Sequence, residues 1–225
     1  HPAPERLASF LCAVPEHAVG APARHATQPG CFVTATVLPA FPFFAQGLVE
    51  PELFVSAVTG SSGSGRKLGT GTHHPERHSN LCAYSPLAHR HEAEMRMLLG
   101  RAGGGVEPEV EFVPHSGPFV RGIHATLRLR LREASSAGEL VARLNDFYAG
   151  RGPFVTASLE PPRLTEVVGT NRCRVGVAVR GRTLVLTSVI DNLIKGAAGG
   201  GVQWMNRLWG LADDTGLRLP GLGWY

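Results

Sequence analysis

Lysine is almost missing from this chain: Lys67 and Lys195 are the only two among 22 basic side chains, and the rest are arginine. Charged residues make up 18% and the formal net charge is +4, with no block of like sign. That argues against a nucleic-acid-binding protein and hints at small anionic ligands. Cys12, Cys31, Cys82 and Cys173 form no C-x-x-C pair, so a cytoplasmic chain with free thiols is expected instead of a disulfide scaffold. The longest apolar stretch, residues 31–49, is broken by Pro39, Pro42 and Gln46 and is too short to span a bilayer. No basic, apolar, small-residue leader opens the chain. No G-x-G-x-x-G follows a strand, so no nucleotide-binding fold is visible. The chain begins at His1, not Met, and is expected to be a fragment of a longer protein. The 28 Gly and 17 Pro follow no period, which excludes collagen.

What is present is a core-former. Hydrophobic residues reach 43% of 225, enough for one large domain or two small ones. The periodicity predicts a mixed α+β fold. Helices are expected over 32–46, 89–99 with Gly100 as C-cap, 136–148 with Ser136 and Glu139 as a capping box, and 192–211. Strands are expected over 52–59, 121–131, 153–159, 173–180 and 182–190, the last two joined by a turn at Arg180-Gly181-Arg182. Residues 60–82, rich in Gly, Ser and His, read as a long loop. Gly196, Gly199, Gly200 and Gly201 in the last helix suggest either close approach to its backbone or tight packing.

Several residues could carry chemistry. Cys31 follows Pro29-Gly30 at the start of an apolar helix, where free N–H groups and the helix dipole favour a thiolate; the alternative is a buried structural thiol. Five of ten histidines lie at 73, 74, 78, 89 and 91. With Cys82 they raise the possibility of a zinc site, but Pro75 argues against a helix placing His74 and His78 on one face, and no metal is expected. His89-Arg90-His91 better suits a proton-transfer pair beside an anion-binding arginine. The Gly60–Lys67 segment fails as a P-loop because Arg66 precedes Lys67 and Leu68 follows it. Its backbone donors and Arg66 could still meet a phosphate.

Taken in order, seven segments resemble the N-acetyl-γ-glutamyl-phosphate reductases of arginine biosynthesis. They are Ala13–Glu16, Pro29–Ala35, Ser62–Lys67, His89–Glu94, Phe112–His115 with Val120–Ile123, Gly169–Asn171 and Ser188–Gly199. His73–Arg77 and the terminal Pro220-Gly221-Leu222 are more similar to the related branch that reduces a carrier-linked aminoadipyl phosphate in lysine biosynthesis.

The resemblance implies an α+β, glyceraldehyde-phosphate-dehydrogenase-like catalytic domain with an antiparallel or mixed sheet, and most of a Rossmann NADP domain upstream of His1. It divides the chain into a nucleotide-domain remnant (1–30), a catalytic and oligomerisation domain (31–190) and a C-terminal helix returning to the nucleotide domain (191–225). It implies reduction of an acyl phosphate through a Cys31 thioester, with His91, or alternatively His89, as acid–base. Arg66, Arg90, Glu94, His115 and Arg121 would bind substrate. Asn192, Gly63 and Gly65 would face NADP(H). The implied partners are a small-molecule acyl phosphate, an amino-group carrier protein in the lysine branch, and further copies of the chain. A partner-binding scaffold without activity and a zinc module are the competing readings.

Overall fold

A computed structural model describes residues 4–18, 20 and 24–221; His1 and Leu222 lie outside them. In chain order the elements are β1 (Leu11–Cys12), β2 (Ala26–Thr27), α1 (Cys31–Ala45), β3 (Glu52–Thr59), the single turn α2 (His74–Arg77), β4 (Cys82–Ala83), α3 (His91–Ala102), β5 (Glu109–Ser116), β6 (Ile123–Arg130), α4 (Ala137–Tyr148), β7 (Val155–Ser158), β8 (Cys173–Arg180), β9 (Thr183–Ile190) and α5 (Gly199–Leu208). β1 and β2 pair in parallel by themselves. The other seven strands form one mixed sheet, ordered β4-β5-β3-β6-β9-β8-β7. β3 runs parallel to β5 from Glu52↔Glu109 to Thr59↔Ser116, so the carboxyl ends of both emerge together. The centre is antiparallel, with β6 on β9 from Ile123↔Ile190 to Arg130↔Thr183.

α1, α3 and α4 cover one face of this sheet. Alternation sends Leu53, Val55 and Ala57 of β3 and Ile123, Ala125, Leu127 and Leu129 of β6 towards them. α1 is the hub and is buried all round apart from Cys31, Phe41 and Ala45. It stays helical through Pro39 and Pro42. Proline offers no N–H to the carbonyl four residues back; at Pro42 that carbonyl is Leu38 O, and the Tyr148 hydroxyl donates to it instead.

Most predicted elements stand within two or three residues of expectation. The 180–183 hairpin turns on Gly181 at φ 59°. Ser136 caps α4 by accepting the Glu139 N–H at 3.2 Å, while the Glu139 carboxylate bonds Ser135 Oγ at 2.9 Å. Gly100 does not cap α3: the helix runs on to a C-cap at Gly103. Gly100 is instead a packing glycine, since a Cβ there would lie 2.9 Å from Glu107. β5 had no counterpart in the periodicity, because Pro114 reads against an interior strand. Pro75 sits in the first turn of α2, where proline is tolerated, and the His74 and His78 rings stand 5.4 Å apart. The last helix is split into a π-helical turn at Ile194–Ala198 followed by α5. No helix among the described residues is long and apolar enough to cross a membrane.

Candidate active site

Cys31 opens α1 behind an extended Gly30. Two close approaches hold it. A Cβ on Gly30 would lie 2.2 Å from His91 Nε2, and one on Gly196 would lie 2.7 Å from Cys31 Cβ. The Gly30 N–H donates to Glu94 Oε2 at 3.1 Å. His91 begins α3 and is buried, with no partner for Nδ1. Its main-chain N–H donates to His89 Nδ1 at 3.2 Å, which commits that nitrogen and leaves the His91 ring as the one seated against the cysteine turn. Phe32, Phe112 and Tyr84 close around the pair: His89 meets Phe112 edge-on at 5.4 Å, Tyr84 at 5.6 Å and His91 at 4.6 Å.

The electrostatics correct one expectation. Burial pushes the Cys31 thiol above its ordinary value. The Phe32 and Cys31 N–H groups and the Arg90 charge pull it down, and Glu94 adds to the rise. The helix start therefore acts in the expected sense but is outweighed by desolvation. Burial, helped by His89 and Arg90, takes His91 down to about 4, and burial with Arg90 lowers His89. At neutral pH the site holds a neutral thiol beside a neutral imidazole. Burial raises Tyr84 to about 12, so it is a hydroxyl donor. Cys173 is raised to about 12 by full burial, the mark of a structural thiol.

The substrate residues expected from sequence divide. Arg90 stands exposed at the start of α3, beside the cysteine. Arg121 pairs with the fully buried Asp191 at 3.3 Å, whose carboxylate also takes the N–H groups of Gly169, Leu193 and Ile194 at 2.8–3.0 Å. Glu94 is half-buried and holds the Gly30 N–H through Oε2. Strand alternation puts His115 with Val113 on the face away from Phe112, so it does not join Cys31. Arg66 is exposed on the Gly/Ser loop. Asn192 is buried and engaged at both ends of its amide, accepting from Gly122 N at 2.7 Å and donating to Ser62 Oγ at 3.1 Å. It ties the Gly/Ser loop to the residue that leads into β6 and keeps a second Nδ2 N–H without a protein partner among the described residues. Gly63 packs on the Thr59 side chain, while Gly65 (φ 75°) has open space around it. Among the described residues no three His, Cys, Asp or Glu side chains are placed to hold a metal.

Sequence reasoning missed a buried polar latch beneath the site. Lys195 and Glu16 are both fully buried and ion-paired. Gln203 accepts from Lys195 Nζ at 2.8 Å and donates to Glu16 at 3.0 Å; Asn171 donates to Gln203 at 3.1 Å. The signal was a lone lysine amid glycines and a glutamate in Ala13–Glu16. Gly196, Gly199 and Gly200 pack against Cys31, Asn171 and Gln28, so these glycines serve close packing within the chain. Arg77 was also missed: it is buried, with no carboxylate partner among the described residues. A cavity of about 670 Å³ lined by Pro161, Arg163 and Arg174 lies at the β7–β8 edge of the sheet, away from Cys31.

Residues 31–192 match the family described as semialdehyde dehydrogenase, dimerisation domain. The chain is 40% identical over 222 residues to an N-acetyl-gamma-glutamyl-phosphate reductase of Dehalococcoides mccartyi, covering 97% of this chain and 65% of that protein. It is 41% identical over 201 residues to a protein of the same name from Desulforudis audaxviator, covering 87% of this chain and 57% of that one. It thus spans less than two thirds of the length of these curated relatives. Its fold is similar to that of aspartate semialdehyde dehydrogenase II complexed with ASA from Vibrio cholerae, with a TM-score of 0.70, 16% identity and coverage of 90% of this chain and 68% of that one. A probable aspartate-semialdehyde dehydrogenase from Pseudomonas aeruginosa gives a TM-score of 0.66 at 18% identity, covering 87% and 66%.

Proposed function

The chain belongs to the semialdehyde dehydrogenase family through its dimerisation domain, and from that premise we propose that it is the catalytic part of an N-acetyl-γ-glutamyl-phosphate reductase acting through a Cys31 thioester. One observation carries the reading: Cys31 begins the central helix with the His91 ring against the preceding glycine. Cys31 Sγ attacks the acyl carbon, the bond to phosphate breaks, and phosphate leaves. As the thiol attacks, its proton passes to the neutral His91 imidazole, which is in the form that accepts one. Arg90, an exposed cation whose charge reaches the thiol, receives the phosphate, and Arg121 is held by Asp191, whose carboxylate accepts N–H groups at the start of the turn that carries Gly196. NADP(H), when bound, supplies the hydride that takes the acyl group to the aldehyde. In this chain Gly65 fits a cofactor-facing role, because open space surrounds its backbone, and Asn192 holds the Gly/Ser loop in place through Ser62 and Gly122. His91 returns its proton to the oxygen of the resulting Cys31 thiohemiacetal; that oxygen then gives the proton back as the C–S bond breaks, so the aldehyde leaves and the Cys31 thiol is restored.

The test needs no cofactor. Intact mass after exposure to enzymatically generated N-acetyl-γ-glutamyl phosphate should show one adduct, mapped to Cys31 and released by hydroxylamine. A parallel exposure to carrier-linked aminoadipyl phosphate reads the lysine-branch substrate by its mass. A folded protein acylated by neither is a scaffold with a structural Cys31.

The reading extends to self-association. The sheet face opposite the helices leaves Phe54, Val58, Thr126, Val185 and Thr187 half-exposed, a surface suited to a second copy. Light scattering at micromolar concentration should give twice the chain mass or a multiple of it; a monomer there counts against this part.

A further inference from the structure

The sheet face opposite the helices sorts its charges by sign. Glu52 of β3 and Glu109 and Glu111 of β5 stand on one side, Arg128 and Arg130 of β6 on the other. None of the five is ion-paired among the described residues. Strand register keeps the two signs apart. Phe54 of β3 lies opposite Glu111 on one side and opposite Arg128 on the other. Adjacent strands are about 4.8 Å apart, so some 10 Å and a phenylalanine ring separate that acid from that base.

The open part of this face is centred on β3. The order β4-β5-β3-β6-β9 leaves two strands on each side of it. Beyond β9 the chain covers its own sheet: a Cβ on Gly176 of β8 would lie 2.9 Å from Glu160 O and from Pro161 Cα. A homodimer contact is self-complementary about a two-fold axis. An axis running along β3 exchanges the places of β5 and β6, so Glu111 meets Arg128 of the partner subunit, and Arg128 meets the partner's Glu111. On the axis the half-exposed Phe54 and Val58 face their own copies, and Glu52 is flanked by an Arg130 from each chain. Face-packed sheets lie about 10 Å apart, a gap that a glutamate and an arginine reaching from opposite sides span. An axis crossing the strands at their midpoint would lay Glu111 over Val113 and Arg128 over Thr126, which desolvates charges without pairing them.

We propose that this face docks a second copy of the chain about a two-fold axis along β3, with a Glu111–Arg128 pair on either side of the axis fixing the register. The arrangement rests on the self-association reading above and names its contacts. Charge pairs placed this way select orientation and reject mismatched docking more than they add affinity.

The experiment follows self-association of the whole protein by analytical ultracentrifugation. Glu111→Arg and Arg128→Glu each put like charges at both contacts and should weaken association at least about 10-fold, with wild-type far-UV circular dichroism because both positions are exposed. An equimolar mixture of the two variants should associate at close to wild-type strength, since each chain then meets the opposite sign in the other. Variants that associate like the wild type, or a mixture no tighter than its components, overturn this register while self-association through the face stands. A wild-type protein that stays monomeric at micromolar concentration overturns that reading, and the register with it.

Discussion

At Cys31 two effects pull in opposite directions, and their sizes decide the resting state. N–H groups at the helix start lower the thiol, but burial outweighs them and holds it above 9.0. Alkylation of Cys31 by iodoacetamide should therefore be slow at pH 7 and still climbing at pH 9; a plateau below pH 8 would contradict this. Because the thiol must shed its proton as it reacts, His91→Ala should lower the acylation rate by ~10²–10⁴-fold, and Cys31→Ala should abolish it. Gly196 is the third residue of this unit. Gly196→Ala places a methyl 2.7 Å from Cys31 Cβ, an overpacking that should cost about 1–3 kcal/mol in chemical unfolding and displace the thiol.

Among the elements, the π-helical turn and α5 depend on the buried latch. Lys195→Met leaves the Glu16 carboxylate buried and unpaired, which should cost about 3–5 kcal/mol; Lys195→Met with Glu16→Leu should cost far less. A double variant no more stable than the single one would show that the ion pair is not the latch. The four-glycine helix was legible as a string of small residues, with tight packing as one of two readings, but its packing partners were not. Those partners are Cys31, Asn171 and Gln28, residues 28 to 172 positions away in the chain. α4 was legible to the residue because its cap is local: Ser136 and Glu139 lie three apart. β5 was not, since Pro114 masks its alternation and the strand is held by its neighbours β3 and β4.

For the whole molecule, pH acts through buried imidazoles. His91 is held near 4, and His17 well below 6.5 by its burial and the charges of Lys195, Arg151 and Arg207. Below about pH 6.5 the unfolded chain binds protons that the folded chain refuses, so stability falls as pH drops from 6.5 towards 4. The thermal midpoint should be lower at pH 5 than at pH 7.5. His91→Asn should remove part of that slope, and a midpoint unchanged over this range would contradict the assignment.

The α+β class, the strands of the central antiparallel run, the helix behind Cys31 and the segments carrying Cys31, His89 and His91 follow from the sequence alone, because short-range periodicity, caps and local motif order specify them. Tertiary structure decided the rest. It seated the His91 ring on Gly30, engaged Glu94 and Asn192 internally and turned His115 to the far face. It also buried Arg77 without an acid and raised the Cys31 thiol. Each of these depends on which residues distant in the chain arrive at one place, and on how much water they exclude there, and neither quantity is written in local order.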